Sequence, residues 1–150
     1  MRLAEAAGLL SEDIRVDAET PHINLREHAW RTLKTSSSQR KIPLVGTSLW
    51  AAERIKEQNT TFGLPKYCNE QKCNSNSASA ALNKWLKPRV PDGCVIHSFR
   101  HSLRDRLRAV ECPADIIDAI GGWTTEGVGH QYGKGHNLTV MHRWMKRLNQ

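Results

Sequence analysis

Long apolar runs are missing from this chain of 150 residues. Nothing in it approaches the ~18 apolar residues of a bilayer-spanning helix, and no charged-then-apolar leader opens it. A membrane partner is therefore not expected, and the expected compartment is the cytoplasm. Paired cysteine motifs are missing too. Cys68 and Cys73 stand at a spacing that zinc sites use, but Cys94 and Cys112 supply no second close pair. Reduced thiols, buried or incidental, are the expectation, and a small zinc-binding interaction module is an alternative. Internal repeats and low-complexity tracts are absent as well. Acidic residues are in deficit, with 15 Asp+Glu against 22 Lys+Arg and a net charge of +7. An excess of that sign favours a polyanion, and nucleic acid is the natural one once membranes are set aside. Asn59-Thr60-Thr61 and Asn137-Leu138-Thr139 match the glycosylation pattern, which has no consequence in a cytoplasmic chain.

What is present reads as one domain of mixed structure, large enough to bury a single core. A helix is expected over 3–10, where Ala4, Ala6 and Ala7 are strong helix formers, ending at Ser11-Glu12-Asp13. Segments 22–26, 30–35 and 41–44 have strand character and are separated by polar turns, which predicts a small antiparallel sheet of three strands. After Val45 the pattern turns helical. One helix is expected from a Thr47 or Ser48 cap to about Gln58, then a polar loop over 60–77 and a helix over 78–87 that stops before Pro88. Over 98–110 the residues Phe99, Leu103, Leu107 and Val110 form one apolar stripe, with Arg100, Arg104 and Arg108 on another face. Pro113 suits the first turn of a short helix that Gly121-Gly122 terminates. Finally, Leu138, Met141, Met145 and Leu148 give an amphipathic helix that either packs on its own domain or docks on a neighbouring protomer.

Chemistry concentrates in the second half. His97 and Arg100, three residues apart at a helix start, should point to the same side, where free amides also favour an anion. A glycine pair then precedes Trp123, and Tyr132 follows in the glycine-flanked segment His130-Gln131-Tyr132-Gly133-Lys134-Gly135.

With these motifs in this order, the chain resembles the catalytic domain of the tyrosine recombinase (phage integrase) family over nearly all of its length. Arg2 followed by Glu5 looks like the family's first arginine. Leu33-Lys34-Thr35, before Ser37, Arg40 and Pro43-Leu44, is similar to the hairpin that carries the family's lysine; Lys34 is the choice there and Lys41 the alternative. His97 and Arg100 match the family's His-x-x-Arg. Trp123 stands where many members have histidine and some tryptophan, a change that keeps a donor N–H but loses an ionisable group. Tyr132 stands at the nucleophile.

The resemblance implies an α+β fold, mostly helical with a small three-stranded antiparallel sheet, as one partial catalytic domain over 1–150, truncated at its start and without the upstream core-binding DNA domain. It implies cleavage and rejoining of double-stranded DNA through a 3′-phosphotyrosyl link, with no metal or other cofactor. In that scheme Arg2, Arg100 and Trp123 hold the phosphate, Lys34 serves as general acid, and His97 moves or orients a proton. The further expectations are a homo-oligomer on DNA built through the C-terminal helix and a bacterial or phage-encoded, nucleoid-associated protein. A non-catalytic DNA-binding remnant is the alternative.

Overall fold

The computed structural model of the chain describes residues 1–34, 38–123 and 136–149. Among them the order is α1 (Leu3–Ala7), β1 (Ile14–Arg15), β2 (His22–Leu25), β3 (Arg40–Pro43), α2 (Gly46–Glu57), α3 (Ser75–Leu86), α4 (Ser98–Ala109), α5 (Ala114–Gly121) and α6 (Leu138–Lys146). About half of the chain is helical, and the class is α+β.

The sheet has the expected size and two of its three expected strands, with a different third. Its order is β1-β2-β3, antiparallel throughout, with Ile23 of β2 opposite Ile14 on one side and Ile42 on the other. That row of isoleucines joins Leu9, Leu25, Leu44 and Ala52 in one core. Of the expected strand 30–35, the described residues 30–34 form no strand. His28 and Arg31 exchange backbone hydrogen bonds of 3.1 and 3.0 Å, closing a tight turn in which Trp30 stacks on His28 at 4.6 Å. The third strand is instead Ile14–Arg15, whose two residues are too few to show an alternating pattern.

The helices follow the sequence more closely. α2 begins at Gly46 rather than after a Thr47 or Ser48 cap, and the Ser48 hydroxyl instead accepts the backbone N–H of Val45 at 3.0 Å. α3 starts three residues early, because Asn74 Oδ1 accepts the Ser77 N–H at 3.1 Å as a side-chain cap. α4 ends through Glu111, held at φ 58°, with Glu111 N–H on Arg108 O at 2.9 Å and Cys112 N–H on Leu107 O at 3.0 Å. These are the paired bonds of a Schellman close, made without glycine. Asn137 caps α6 by accepting the Thr139 N–H at 2.8 Å, a structural use for a glycosylation-like triplet.

A second core gathers Leu107, Ile116, Ile117, Ile120, Met141 and Met145. The apolar stripe of α6 is thus buried against its own domain, and the expected docking on a neighbouring protomer has no support from this helix. β3 is the seam between the cores, packing against β2 on one side and against α5 and α6 on the other. A smaller cluster of Leu10, Phe62 and Cys68 lies beneath the 60–74 loop. Cys68 and Cys73 are joined there by a disulfide, contrary to the expected reduced state, while Cys94 and Cys112 are free thiols. The short hairpin makes the pairing feasible, since its ends bring the two Cα atoms to 4.3 Å. No helix among the described residues is long and apolar enough to cross a membrane.

Candidate functional site

The end of α5 is where the site is assembled. A helix leaves its last carbonyls without intrahelical partners, and the partial negative charge there attracts cations. Gly122 closes α5 at φ 63°, and the Trp123 N–H bonds back to Asp118 O at 3.1 Å. Two arginines reach the last two carbonyls. Arg100 of α4 donates from Nη1 to Gly121 O at 2.6 Å, and Arg40 of β3 donates from Nε to Ile120 O at 3.1 Å.

A single carboxylate faces them from the other half of the molecule. Glu5 of α1 is 3 % exposed; its Oε1 accepts Arg2 Nη1 at 2.8 Å, and its Oε2 accepts Arg40 Nη2 at 3.2 Å and the Arg2 backbone N–H at 2.7 Å. Arg2 Nη1 also reaches Ser38 Oγ at 2.9 Å, and Arg40 Nη1 reaches Ser38 O at 2.6 Å. Burial pushes the Glu5 carboxyl up. The Arg2 backbone N–H and the guanidiniums of Arg40 and Arg2 outweigh that and hold it below its ordinary value. Burial first, and then the charges of Arg2 and Arg40, make the Arg100 guanidinium less basic than usual. It remains a cation at any relevant pH, because the intrinsic value is so high.

The glycine pair is what lets the aromatic lid fit. A Cβ on Gly121 would fall 1.7 Å from the Trp123 ring, and one on Gly122 would fall 2.5 Å from Arg40 Nη1. The Trp123 ring therefore lies back over α5, with the Arg100 guanidinium 4.2 Å and that of Arg104 5.2 Å from its centroid. Arg104 in turn pairs with Asp118 at 3.6 Å. Among the described residues the indole N–H has no hydrogen-bond partner.

Of the residues singled out by sequence, the fold brings Arg2, Arg100 and Trp123 into one cluster. His97 is not on the buried side with Arg100. It is exposed at the start of α4, edge-on to His101 at 5.2 Å. Lys34 is exposed in the link between β2 and β3 and makes no hydrogen bond or ion pair among the described residues. Lys41, on β3, is exposed as well. Tyr132 lies outside the described residues. The expected stripe of α4 is also revised, since Phe99 is 59 % exposed while Arg100 is buried. A charged residue went inward because the carbonyl end of α5 and the ring of Trp123 receive it.

Sequence reasoning assigned no role to Arg40, Glu5 or Arg104 themselves. A signal for two of them was present: Glu5 follows Arg2 by three, one helical turn, and Arg104 follows Arg100 by four. The place of Arg40 beside α5 depends on contacts across 80 positions of sequence, which no local pattern records.

Chemically, the cluster sets three guanidiniums, Arg2, Arg40 and Arg100, around one carboxylate, an excess of two positive charges in a largely desolvated place. Arg2 and Arg100 each use only Nη1 among the described residues, so Nε and Nη2 of each are left to grip an oxoanion. No cluster of three metal-capable His, Cys, Asp or Glu side chains occurs among the described residues. No protein-family model, curated protein or solved structure matches the chain.

Proposed function

We propose that this chain is the catalytic domain of a DNA strand-exchange enzyme of the tyrosine recombinase type. The observation that carries the proposal is the arginine cluster: two partly free guanidiniums, over-compensating one buried carboxylate, suit a phosphodiester. A buried surplus of cationic charge is costly without an anion, so the cluster is better suited to a bound state than to an empty one.

In the proposed reaction the Tyr132 phenol oxygen attacks phosphorus, a P–O bond to tyrosine forms and the P–O5′ bond breaks. The phenolic proton leaves toward His97, and Lys34 gives a proton to the departing 5′ oxygen. Arg2 and Arg100 take up the negative charge that grows on the non-bridging oxygens, and the Trp123 N–H donates to one of them. A 5′ hydroxyl of a second strand reverses the step. The phosphodiester energy stays in the tyrosyl ester, so the cycle needs no external energy source.

A non-catalytic DNA-binding domain is the second reading, favoured by the positions of Lys34 and His97, which stand exposed and outside the cluster. A pool of nicked duplexes that traps the covalent product separates the two. The first reading expects a protein–DNA adduct that resists detergent and disappears in Tyr132→Phe. Binding without an adduct, identical for both proteins and weakening with salt, would establish the second. With the adduct in hand, Arg100→Ala should lower cleavage far more than affinity, as a group acting in the transition state does.

A further inference from the structure

We propose that Arg40 is a positioning residue, which aligns the two phosphate-gripping arginines by tying Glu5 to the end of α5. The inference rests on the phosphate-site reading above. It separates Arg40 from its neighbours by donor use. Every nitrogen of the Arg40 guanidinium already has an acceptor, Nε on Ile120 O, Nη1 on Ser38 O and Nη2 on Glu5 Oε2. Its side chain is 8 % exposed. With three of its five N–H bonds engaged and its side chain buried, this guanidinium has little left for a substrate oxygen, whereas Arg2 and Arg100 each keep two nitrogens unengaged among the described residues.

What Arg40 holds explains why it matters. Glu5 is the carboxylate that orients Arg2, and Ile120 O is adjacent to Gly121 O, the carbonyl that orients Arg100. Arg2 belongs to the half built on the sheet core, and Arg100 to the half built on the helical core. Arg40, on the seam strand, is bonded to the supports of both. Its three acceptors lie in three directions, a demand that a planar fork meets and a single ammonium does not. Gly122 keeps the space for that fork, since a Cβ there would fall 2.6 Å from Arg40 Cζ.

Arg40→Gln, Arg40→Lys and Gly122→Ala test this in the full chain. The last leaves all three arginines in place, but it crowds the fork and also strains the left-handed close of α5. Three readings are taken: the arginine side-chain nitrogen resonances of Arg2 and Arg100, titration with inorganic phosphate, and, where wild type yields an adduct, cleavage rate alongside DNA affinity. Positioning to within a fraction of an ångström controls such sites, so all three variants should cut cleavage about tenfold or more and leave DNA affinity within about twofold. The Arg100 resonances should lose the signature of a fixed guanidinium, and phosphate binding should weaken. Full rescue by lysine would overturn the inference, because charge alone would then suffice. Equal losses of affinity and cleavage would also overturn it, making Arg40 a substrate contact. If Arg40→Gln fails to fold, Arg40→Lys decides by the same readings, and unchanged Arg2 and Arg100 resonances there count against the proposal. A wild-type protein that forms no adduct sinks the cleavage reading alone, since resonances and phosphate titration still judge Arg40.

Discussion

The two cores of this molecule are built from similar residues by different means. In the sheet half, Ile14, Ile23 and Ile42 come together from strands of two and four residues, and polar side chains finish the job. Asp13, 2 % exposed, receives Arg26 Nε at 2.7 Å and His28 Nε2 at 2.6 Å, and buried Arg31 donates to the carbonyls of Glu5 and Arg26. The helical half needs few such devices. Its core is filled by Leu, Ile and Met at helical spacing, and α4 closes on backbone bonds. The contrast teaches that local periodicity suffices where elements are long, and that short strands rely on tertiary polar ties. The candidate site lies where one kind of construction meets the other, and takes a carboxylate from the first and helix-end carbonyls from the second.

The strongest way to break this comparison is to damage each core separately. Leu25 and Leu107 are both 0 % exposed, so Leu25→Ala and Leu107→Ala should each destabilise by about 2–5 kcal/mol. Chemical denaturation should show one shifted transition in both, because β3 packs against both halves. Two separate transitions, each moved by only one variant, would show that the halves fold independently.

A smaller effect probes the seam itself. Glu5→Gln removes the carboxylate shared by Arg2 and Arg40 and should cost about 3 kcal/mol, as expected when one partner of a buried ion pair is lost. Inorganic phosphate should then raise the melting temperature of the variant more than that of wild type, since the anion replaces the missing charge. The pH dependence has a definite sign. Glu5 ionises below its ordinary 4.5 in the fold, so its contribution is complete above that value and is lost as pH falls through the lowered one. The gap between wild type and variant should accordingly close in acid; a gap that persists there would mean that Glu5 acts by packing rather than by charge.

The smallest effect sharpens the helical side. Glu111 holds a left-handed conformation, φ 58°, at the close of α4, where glycine carries no penalty from a Cβ. Glu111→Gly should raise stability by about 0.5–1 kcal/mol in thermal unfolding, the reverse of the usual cost of glycine. A loss would indicate that Glu111 has a compensating interaction that outweighs its backbone strain.

Legibility in the sequence divides along the same line. The helices could be placed to within a few residues because Leu103 and Leu107, or Met141 and Met145, repeat within one helix, and because Pro113 and Gly121-Gly122 mark ends by their own backbone limits. The segment 30–35 misled, since Trp30 and Arg31 serve a turn with His28 rather than a ladder. The stripe of α4 misled at Phe99, because periodicity identifies faces but not which face meets a partner. Arg2, Arg100 and Trp123 were legible as members of one site through spacing and resemblance, whereas Arg40 and Glu5 acquired their roles only by contact.

By itself the sequence determined the balance of charge, the positions of the helices and the glycine pair that ends α5. These are local properties, set by side-chain chemistry, helical period and allowed backbone angles. The tertiary structure alone decided that Ile14 supplies the third strand, that α6 is buried on its own domain, and that Arg2 and Arg40 share one carboxylate while Arg100 takes a helix-end carbonyl beside them. Those outcomes depend on desolvation and on acceptors distant in the chain, and both exist only once the two cores have closed on β3.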